Sequence, residues 1–300
     1  MKNKLKEIIV QGEVIEHAPM ADYTSFRAGG RTDYLVIPAN EEELKQCVAM
    51  LSRENWPFLV MGNGSNILVR DGGYRGVIIR MQNCCNEIVG EGPIFRVGAS
   101  VLLSAAARHF KDRGYAGFEF ASGIPGSIGG AAFMNAGAYG GEMKDIIRKV
   151  TLLRRDGGVL YELSGAEMDY GYRHSVLYDT GDIVLSVELE LQEGNREDIA
   201  AVMRELAEKR NTKQPVAYPS AGSFFKRPTG YFAGKLIQDA GLKGLTVGGA
   251  QVSELHAGFV INKGGATSTD IERLMHLVQA RVYEREGVMM EPEVRIIGEK

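Results

Sequence analysis

The sequence predicts an α+β fold, in which separate helices and short strands alternate without the regular strand–helix–strand repeat of a parallel α/β sheet. The predicted helices carry apolar residues at helical spacing, and the predicted strands are short apolar runs between turn residues. The chain has 300 residues, of which 44% are hydrophobic and 24% charged. This length allows one large domain or two ordinary ones, with a core that needs no disulfide or metal.

Charge and cysteine content exclude several classes of protein. A net charge of −3 provides no basic field, so neither nucleic acid nor an anionic membrane is expected as the main partner. The cysteines Cys47, Cys84 and Cys85 are too few for a disulfide framework or a zinc site. The vicinal pair could be redox-active, but ordinary reduced thiols are the preferred interpretation. No signal peptide or membrane span is recognisable, which predicts a cytoplasmic protein.

Five segments have a helical pattern. The first begins after Asn40, a suitable capping residue, and continues with the acidic run Glu41–Glu43 at the positive end of the helix dipole. The last has two competing capping boxes, Thr267 with Asp270 or the pair two residues later. The predicted helices cover residues 40–55, about 100–113, 195–210, 233–240 and about 268–286. The apolar stripe of the 195–210 helix consists of Ile199, Val202, Met203 and Leu206.

Short apolar runs predict strands, and a proline-containing segment predicts a domain boundary. The predicted strands cover residues 58–61, 67–69, 77–79, 146–153, 183–191 and 256–262. Residues 211–219 contain two prolines and separate two helical patterns. We therefore expect a first domain at 1–210, with lobes at about 1–80 and 81–210, and a second domain at 211–300.

Residues 114–141 hold nine of the 38 glycines, mixed with alanine, serine and large apolar residues. Glycine costs a helix about 1 kcal/mol per position relative to alanine, which argues against a regular helix here. The apolar residues argue against a polar linker. The segment is therefore predicted to be an ordered, largely buried loop whose backbone lies against another group.

The common nucleotide motifs are absent. Gly62-Asn63-Gly64 begins like the G-x-G-x-x-G fingerprint, but Ile67 replaces its third glycine. Gly234-Lys235-Leu236 lacks the features of a P-loop, and no histidines have metal-ligand spacing. No nucleophile elbow occurs either.

Two glycine-rich loops remain as candidates for phosphate binding, since glycines let consecutive backbone N–H groups approach a phosphate. Each loop alone is more simply interpreted as a structural turn. Together they favour a dinucleotide lying along both. The candidate residues are Gly62, Asn63, Gly64, Ser65 and Asn66 in the first loop, and Pro125, Gly126, Ser127, Gly129, Gly130, Asn135, Gly137, Ala138 and Tyr139 in the second.

Three further residues are candidates that spacing alone does not select. Arg173 lies in an aromatic segment and has a simple alternative as a surface arginine stacked on Tyr172. Ser223 has an alternative as a turn serine. Glu293 has an alternative as an exposed edge-strand carboxylate.

In combination, six segments resemble the UDP-N-acetylenolpyruvoylglucosamine reductase (MurB) family, in order from about residue 22 to 297. The second glycine loop, 124–139, is the most specific match. The others are Thr24–Gly30, Gly62–Asn66, Tyr172–Ser175, Ala221–Lys226 and Glu291–Val294. The chain resembles the shorter branch of the family, because it has no obvious counterpart of the inserted tyrosine loop.

The resemblance implies a two-lobed FAD-binding domain of the vanillyl-alcohol-oxidase type and a smaller α+β substrate domain. FAD would bind non-covalently, through Arg27 and both glycine loops. NADPH would reduce FAD, and the enolpyruvyl substrate would then use the same pocket in a ping-pong scheme. A hydride would reach C3 of UDP-N-acetylglucosamine enolpyruvate, and negative charge would develop from C2 into the carboxylate.

Residue roles also follow from the resemblance. Arg173 and Glu293 would stabilise the developing enolate, for which Glu293 would need a raised pKa or a bridging proton. Ser223 would donate the proton to C2. Tyr172 and Lys226 would contact the substrate, and Lys226 or a water chain would assist Ser223. A monomer is expected.

Two other functions fit parts of the pattern. A flavin oxidase of the same fold would use O2, with or without a covalent flavin link through His109 or a cysteine. A non-catalytic nucleotide- or sugar-binding protein would keep the glycine loops alone. Neither explains the joint presence of the segments around Arg173, Ser223 and Glu293.

Overall fold

The buried apolar side chains form two separate clusters, one for each unit of the chain. The computed structural model describes residues 1–300. Unit 1 comprises Met1–Glu16, Tyr34–Asn63 and Gly76–Lys209, and unit 2 comprises His17–Asp33, Gly64–Arg75 and Arg210–Lys300. Unit 2 thus contains the predicted C-terminal region together with two N-terminal segments. The division of function at residue 211 stays a prediction.

Eight α-helices and three short 3-10 helices occur. None of them combines the length and the apolar character that a membrane span requires. The α-helices are α1 (Lys2–Ile8), α2 (Glu41–Arg53), α3 (Leu103–Arg113), α4 (Ile128–Met134), α5 (Leu177–Thr180), α6 (Arg196–Lys213), α7 (Ala233–Asp239) and α8 (Ser268–Glu286), and the 3-10 helices are Met20–Asp22, Glu119–Ala121 and Met143–Asp145.

The strands are short, as the sequence predicts. They are β1 (Glu13–Glu16), β2 (Thr32–Ile37), β3 (Phe58–Met61), β4 (Ile67–Val69), β5 (Tyr74–Arg80), β6 (Ile88–Val89), β7 (Ile94–Gly98), β8 (Tyr115–Ala116), β9 (Gly137–Ala138), β10 (Gly141–Glu142), β11 (Ile147–Leu153), β12 (Leu160–Ser164), β13 (Ile183–Glu190), β14 (Gln192–Glu193), β15 (Ser220–Ser223), β16 (Thr246–Val247), β17 (Ala250–Val252), β18 (Phe259–Asn262) and β19 (Arg295–Ile297).

Unit 1 contains two sheets around one core. The first has the strand order β1-β2-β5-β3, with β3 and β5 parallel, and the second has the antiparallel order β12-β11-β13-β7-β6. Helix α4 packs on β13 and β7. Apolar side chains of both sheets and of α2, α3 and α4 belong to the same buried cluster.

Helix α2 begins as predicted. The Asn40 side chain accepts the Glu43 N–H at 2.9 Å, which satisfies one of the free donors at the helix start. Glu43 turns inward and is 6% exposed. Its carboxylate accepts the backbone N–H groups of Val10, Gln11, Gly12 and Ala39, at 2.9, 2.6, 3.4 and 2.8 Å respectively. One carboxylate therefore joins the N-terminal segment to the start of α2.

The glycine-rich segment contains α4, where the sequence predicts a loop. Ser127 caps α4 through its hydroxyl, and Asn135 ends it in the left-handed conformation with φ 48°. A β-carbon at Gly129 would lie 2.8 Å from the Ala99 β-carbon. The close packing that glycine permits outweighs its poor helix propensity here, so the prediction of a loop was wrong.

Helix α6 also differs from its prediction. Asn195 caps it, accepting the Glu197 N–H at 2.7 Å, but the helix continues to Lys213, into the predicted linker. Of its predicted apolar stripe only Ile199 is buried, and Val202 is 44% exposed. Helical periodicity was correct, but the stripe is not a core face.

Unit 2 is built around α8 and the antiparallel sheet β15-β18-β17-β16. Thr267 and Asp270 form the capping box, which decides between the two boxes the sequence offered. The predicted apolar stripe of α8 is buried throughout: Ile271, Leu274, Met275, Val278 and Val282. Strand β4 pairs in parallel with β19, so an N-terminal segment belongs to this unit.

We predict that Glu43→Gln destabilises unit 1 by about 2–3 kcal/mol, since the amide leaves buried N–H donors facing an NH2 group. Burial alone raises the pKa of Glu43, but hydrogen bonds from the four backbone groups outweigh it and lower the pKa. This stabilisation is therefore present above the ordinary glutamate pKa and is lost as the pH falls through the lower folded-state value. Denaturant unfolding of both proteins between pH 7 and pH 3 measures the difference.

Glu42→Gln is the matched control, because Glu42 is the exposed neighbour in the same helical turn. It should cost less than about 0.5 kcal/mol. An equal loss in both variants, or a loss for Glu43→Gln that does not shrink at low pH, would contradict the assignment.

Candidate functional site

The two glycine loops predicted to bind the dinucleotide meet inside unit 1. The Asn63 side-chain amide donates to the Pro125 carbonyl at 3.1 Å. A β-carbon at Gly62 would lie 2.3 Å from the Ser127 hydroxyl oxygen, so only glycine permits this approach. Segments more than 60 residues apart thus form one continuous glycine-lined surface.

The outer side of this surface is open. Pro125, Gly130, Tyr139 and Gly140 are exposed, and Tyr139 is 46% exposed. A β-carbon at Gly130 would meet nothing closer than the Ser127 hydroxyl at 3.6 Å, and one at Gly140 would meet nothing within 4 Å. Bare backbone beside open space is what the close approach of a phosphate requires, so these residues fit a dinucleotide cofactor.

Asn135 lies beneath the loop rather than on its surface. Its side chain is fully buried, and it donates to the Gly171 carbonyl at 2.9 Å and to the Glu142 carboxylate at 3.0 Å. The side-chain oxygen accepts the Lys144 N–H at 3.0 Å. Both amide hydrogens are therefore used within the protein.

Arg173 projects from a tight turn that is closed by reciprocal hydrogen bonds between Gly171 and His174. Its backbone is left-handed, with φ 54°. The guanidinium donates to the Gly137 carbonyl at 3.1 Å and lies 5.2 Å from the centre of the Tyr172 ring. The stacking expected for a surface arginine is present, but so is a link to the second glycine loop.

In unit 2, the rest of the first glycine loop supports the segment of Glu293. Gly64 has φ 66°, and its carbonyl accepts the Ser25 N–H. Ser25 also donates through its hydroxyl to the Ser65 and Ser220 carbonyls, at 3.3 and 2.7 Å. The Asn66 amide donates to the Glu293 carbonyl at 3.1 Å.

The structure brings the segments of Ser223 and Glu293 together. The register between β15 and β18 shifts between Ser220 and Ser223, and Gly222, with φ 78°, lies at this irregularity. Ser223 is exposed at the end of β15, whereas the next residue, Phe224, is fully buried. The Glu293 N–H donates to the Phe224 carbonyl at 2.8 Å.

Two other predicted residues also lie in unit 2. The Lys226 ammonium is 2.6 Å from the Glu291 carboxylate, and the Lys226 N–H donates to the Glu291 carbonyl. Arg27 has φ 50° and an exposed side chain, and its carbonyl accepts from Asn262 at 3.1 Å. The backbone at Lys226 and at Arg27 is therefore fixed by hydrogen bonds to neighbouring segments.

His109 and Cys47, two of the groups considered for a covalent flavin link, are packed into the protein. His109 packs edge-on against Phe95, and burial followed by the charge of Arg113 lowers its pKa. Burial raises the pKa of the Cys47 thiol to about 12, which makes it a poor nucleophile. No cluster of three or more His, Cys, Asp or Glu side chains is arranged to hold a metal ion.

Sequence reasoning missed several residues that hold the site. Ser25 and Ser175 donate to the carbonyls of Ser220 and Phe133, which are distant in sequence, and Glu142 accepts from the nearby Asn135 amide. For none of the three is there a local signal; for Asn135, which was predicted, the position after an apolar run is one, because asparagine is frequent at left-handed helix ends.

Two family models match parts of this chain. A family model described as the C-terminal domain of UDP-N-acetylenolpyruvoylglucosamine reductase matches residues 214–297. A model described as an FAD binding domain matches residues 32–161.

Whole-chain relatives give the same result. A UDP-N-acetylenolpyruvoylglucosamine reductase of Clostridioides difficile (strain 630) is 49% identical over 295 residues, covering 98% of this chain and 97% of that protein. One of Alkaliphilus oremlandii (strain OhILAs) is 47% identical over 296 residues, covering 99% and 97%. The crystal structure of the enzyme (MurB) from Thermus caldophilus has a TM-score of 0.82 at 35% identity, covering 96% of this chain and 99% of that one.

The predicted α+β flavin-domain fold with a smaller C-terminal domain is confirmed by these matches. The chain is therefore a member of the UDP-N-acetylenolpyruvoylglucosamine reductase family and an FAD-containing oxidoreductase.

Proposed function

We propose that this enzyme reduces UDP-N-acetylglucosamine enolpyruvate to UDP-N-acetylmuramate with NADPH as the electron donor, in peptidoglycan precursor synthesis. The observation that carries the proposal is the pairing of the Ser223 and Glu293 segments, through the Glu293 N–H and the Phe224 carbonyl at 2.8 Å. A proton donor and a carboxylate on adjacent backbone suit a substrate in which charge develops beside a carbon to be protonated.

The surface formed by the two glycine loops supports a role in holding FAD. Gly62, Asn63 and the Pro125–Gly130 segment would lie against its phosphates, because they present backbone without side-chain obstruction. Gly137, Ala138 and Tyr139 would continue the contact, and Gly64–Asn66 and Arg27 would add to it. FAD, when bound, supplies the hydride chemistry between NADPH and the enolpyruvyl double bond.

Arg173 would supply fixed positive charge for the enolate that develops on the substrate. The Gly137 carbonyl fixes one guanidinium nitrogen, and the Tyr172 ring lies beside the guanidinium, so little side-chain freedom remains to be lost on binding. Glu293 would act on the same charge through a shared proton. Tyr172, 47% exposed, and Lys226 would contact the substrate.

Ser223 would hand a proton to C2 of the substrate. Its exposure at the end of β15 leaves the hydroxyl accessible, while Phe224 anchors the strand in the core. Lys226 is paired with Glu291 at 2.6 Å, so a direct role in assisting Ser223 would compete with this ion pair. A monomer that works in the cytoplasm and serves cell-wall growth, cell shape and division completes the proposal.

The proposed function is tested by anaerobic rapid mixing of the FAD-loaded protein. NADPH should bleach the flavin absorbance, and UDP-N-acetylglucosamine enolpyruvate should restore it without O2. Reoxidation by O2 alone would favour the flavin oxidase instead. Acid precipitation should leave the yellow colour in the supernatant, as expected for non-covalent FAD.

We predict that Gly130→Ala has opposite effects on folding and on FAD binding. The added β-carbon has room, at 3.6 Å from the Ser127 hydroxyl, and alanine favours the helix by up to about 1 kcal/mol, so the apoprotein should unfold at the same or a higher temperature. FAD should bind at least roughly tenfold more weakly, about 1.4 kcal/mol, because the methyl group occupies the approach of the phosphate. Flavin fluorescence titration and calorimetry of the apoprotein measure both. Unchanged FAD affinity would remove Gly130 from the cofactor surface.

We predict that Ser223→Ala leaves flavin reduction by NADPH within about twofold of the wild type and slows substrate-dependent reoxidation by roughly 10²-fold or more, as expected for loss of a general acid. Stopped-flow absorbance at the flavin band measures both half-reactions. Ser52→Ala, the same change on α2, is the control and should alter neither. Loss of the first half-reaction in Ser223→Ala would argue against a proton-donor role.

A further inference from the structure

Two hydrogen-bonded anchors hold the Arg173 turn on the end of α4. At the start of the turn, the Gly171 carbonyl accepts from the Asn135 amide at 2.9 Å. Beyond it, the Ser175 hydroxyl donates to the Phe133 carbonyl at 2.5 Å, and Ser175 is fully buried. Arg173 lies between these anchors, so the turn is attached on both sides.

The Asn135 amide can serve this purpose in one orientation only. Its NH2 group faces two acceptors, the Gly171 carbonyl and the Glu142 carboxylate, and its oxygen faces a donor, the Lys144 N–H. A flipped amide would put oxygen against both acceptors. With no exposure to solvent, the cost of an unmatched group here is high.

Ending α4 does not by itself require these bonds. A left-handed residue at a helix end needs only its backbone conformation, and glycine is the residue most often found there. The loop after α4 also has support of its own, because β9 pairs with β10 and the Met143 N–H donates to the Ala136 carbonyl. The bond to Gly171 is therefore available for a separate task.

We propose that Asn135 is a positioning residue for the reaction, which holds the Arg173 turn in register with the Gly137 loop. The Arg173 guanidinium bonds across this junction, since it donates to the Asn135 carbonyl at 3.5 Å and to the Gly137 carbonyl at 3.1 Å. Asn135 thus acts on the substrate's developing charge through Arg173, not through FAD. This inference rests on the proposed function of Arg173.

The test compares Asn135→Gly with Asn135→Asp. Glycine keeps the left-handed backbone and removes the anchor without burying a charge. Aspartate keeps the shape but sets a carboxylate against Glu142 and the Gly171 carbonyl. Asn55→Gly and Asn55→Asp are matched controls, because Asn55 is also left-handed, with φ 53°, follows a helix and is exposed.

Asn135→Gly should slow substrate-dependent flavin reoxidation by roughly tenfold or more, since small misplacements of a charged group are costly. FAD affinity and reduction by NADPH should stay within about twofold. In an Arg173→Lys background the same change should have less than about a threefold effect, because coupled residues are not additive. Full additivity with Arg173→Lys, or a loss of FAD binding that accounts for the slower reaction, would overturn the proposal. Asn135→Asp should be at least as slow as Asn135→Gly, and a wild-type rate would also overturn it.

Hydrogen exchange of the FAD-loaded protein gives a readout independent of activity. Amides 171–177 should exchange faster in Asn135→Gly than in the wild type, and Asn55→Gly should leave them unchanged. Unchanged exchange in Asn135→Gly would overturn the positioning role even if the enzyme has the proposed activity. The two proposals can also fail separately. If Asn135→Gly exchanges faster but the enolpyruvyl substrate does not reoxidise the wild-type enzyme, the proposed function is refuted and the structural role of Asn135 is retained.

Discussion

The packing around Ser127, where backbone approaches so closely that no β-carbon fits, organises the glycine-lined surface of unit 1. Gly62 lies against the Ser127 hydroxyl, and Gly129 lies against Ala99, each at a distance that excludes a side chain. This contact joins two loops that are far apart in sequence and leaves Gly130 exposed beside them. A helix that propensity disfavours forms at this point because tertiary packing requires glycine there.

Left-handed backbone at residues other than glycine recurs around this surface. Asn135, Tyr139 and Arg173 have φ of 48°, 53° and 54°. Each costs on the order of 1 kcal/mol, so the surrounding bonds must hold it. For Asn135 and Arg173 those bonds are visible: they connect the end of α4, the Gly137 loop and the turn at 171–174. The conformational cost and the hydrogen bonds that offset it thus occur together, at the residues that orient the Arg173 side chain.

In unit 2, buried aromatic residues and backbone hydrogen bonds fix the segments of Ser223 and Glu293. Phe224 is fully buried against Phe26, while its neighbour Ser223 is exposed. The Glu293 backbone is held at both its N–H, by Phe224, and its carbonyl, by Asn66. Ser223, which is exposed, and Glu293, which is partly buried, therefore stand on backbone that has little freedom.

The parts of the fold that local signals encode were predictable. Asn40 and Thr267 cap α2 and α8, and the apolar stripe of α8 is the one its periodicity indicates. The predictions that failed depended on distant neighbours. Helix α4 exists because of packing against Ala99, and most of the α6 stripe is not buried. No local pattern around Glu43 indicates the four N–H groups that it binds, since three of them lie more than 30 residues away.

The sequence by itself determined the ordered set of motifs, and hence the family, the flavin-type fold and the residues proposed for chemistry. Side-chain types and their order are properties of the chain alone, which is why they sufficed for this. Only the tertiary structure decided that Asn135 faces Gly171 and Glu142, that the Ser223 and Glu293 segments pair, and that Arg173 donates to Gly137. The reason is physical: a hydrogen bond needs donor and acceptor within about 3 Å, and the path of the whole chain sets which distant groups come that close.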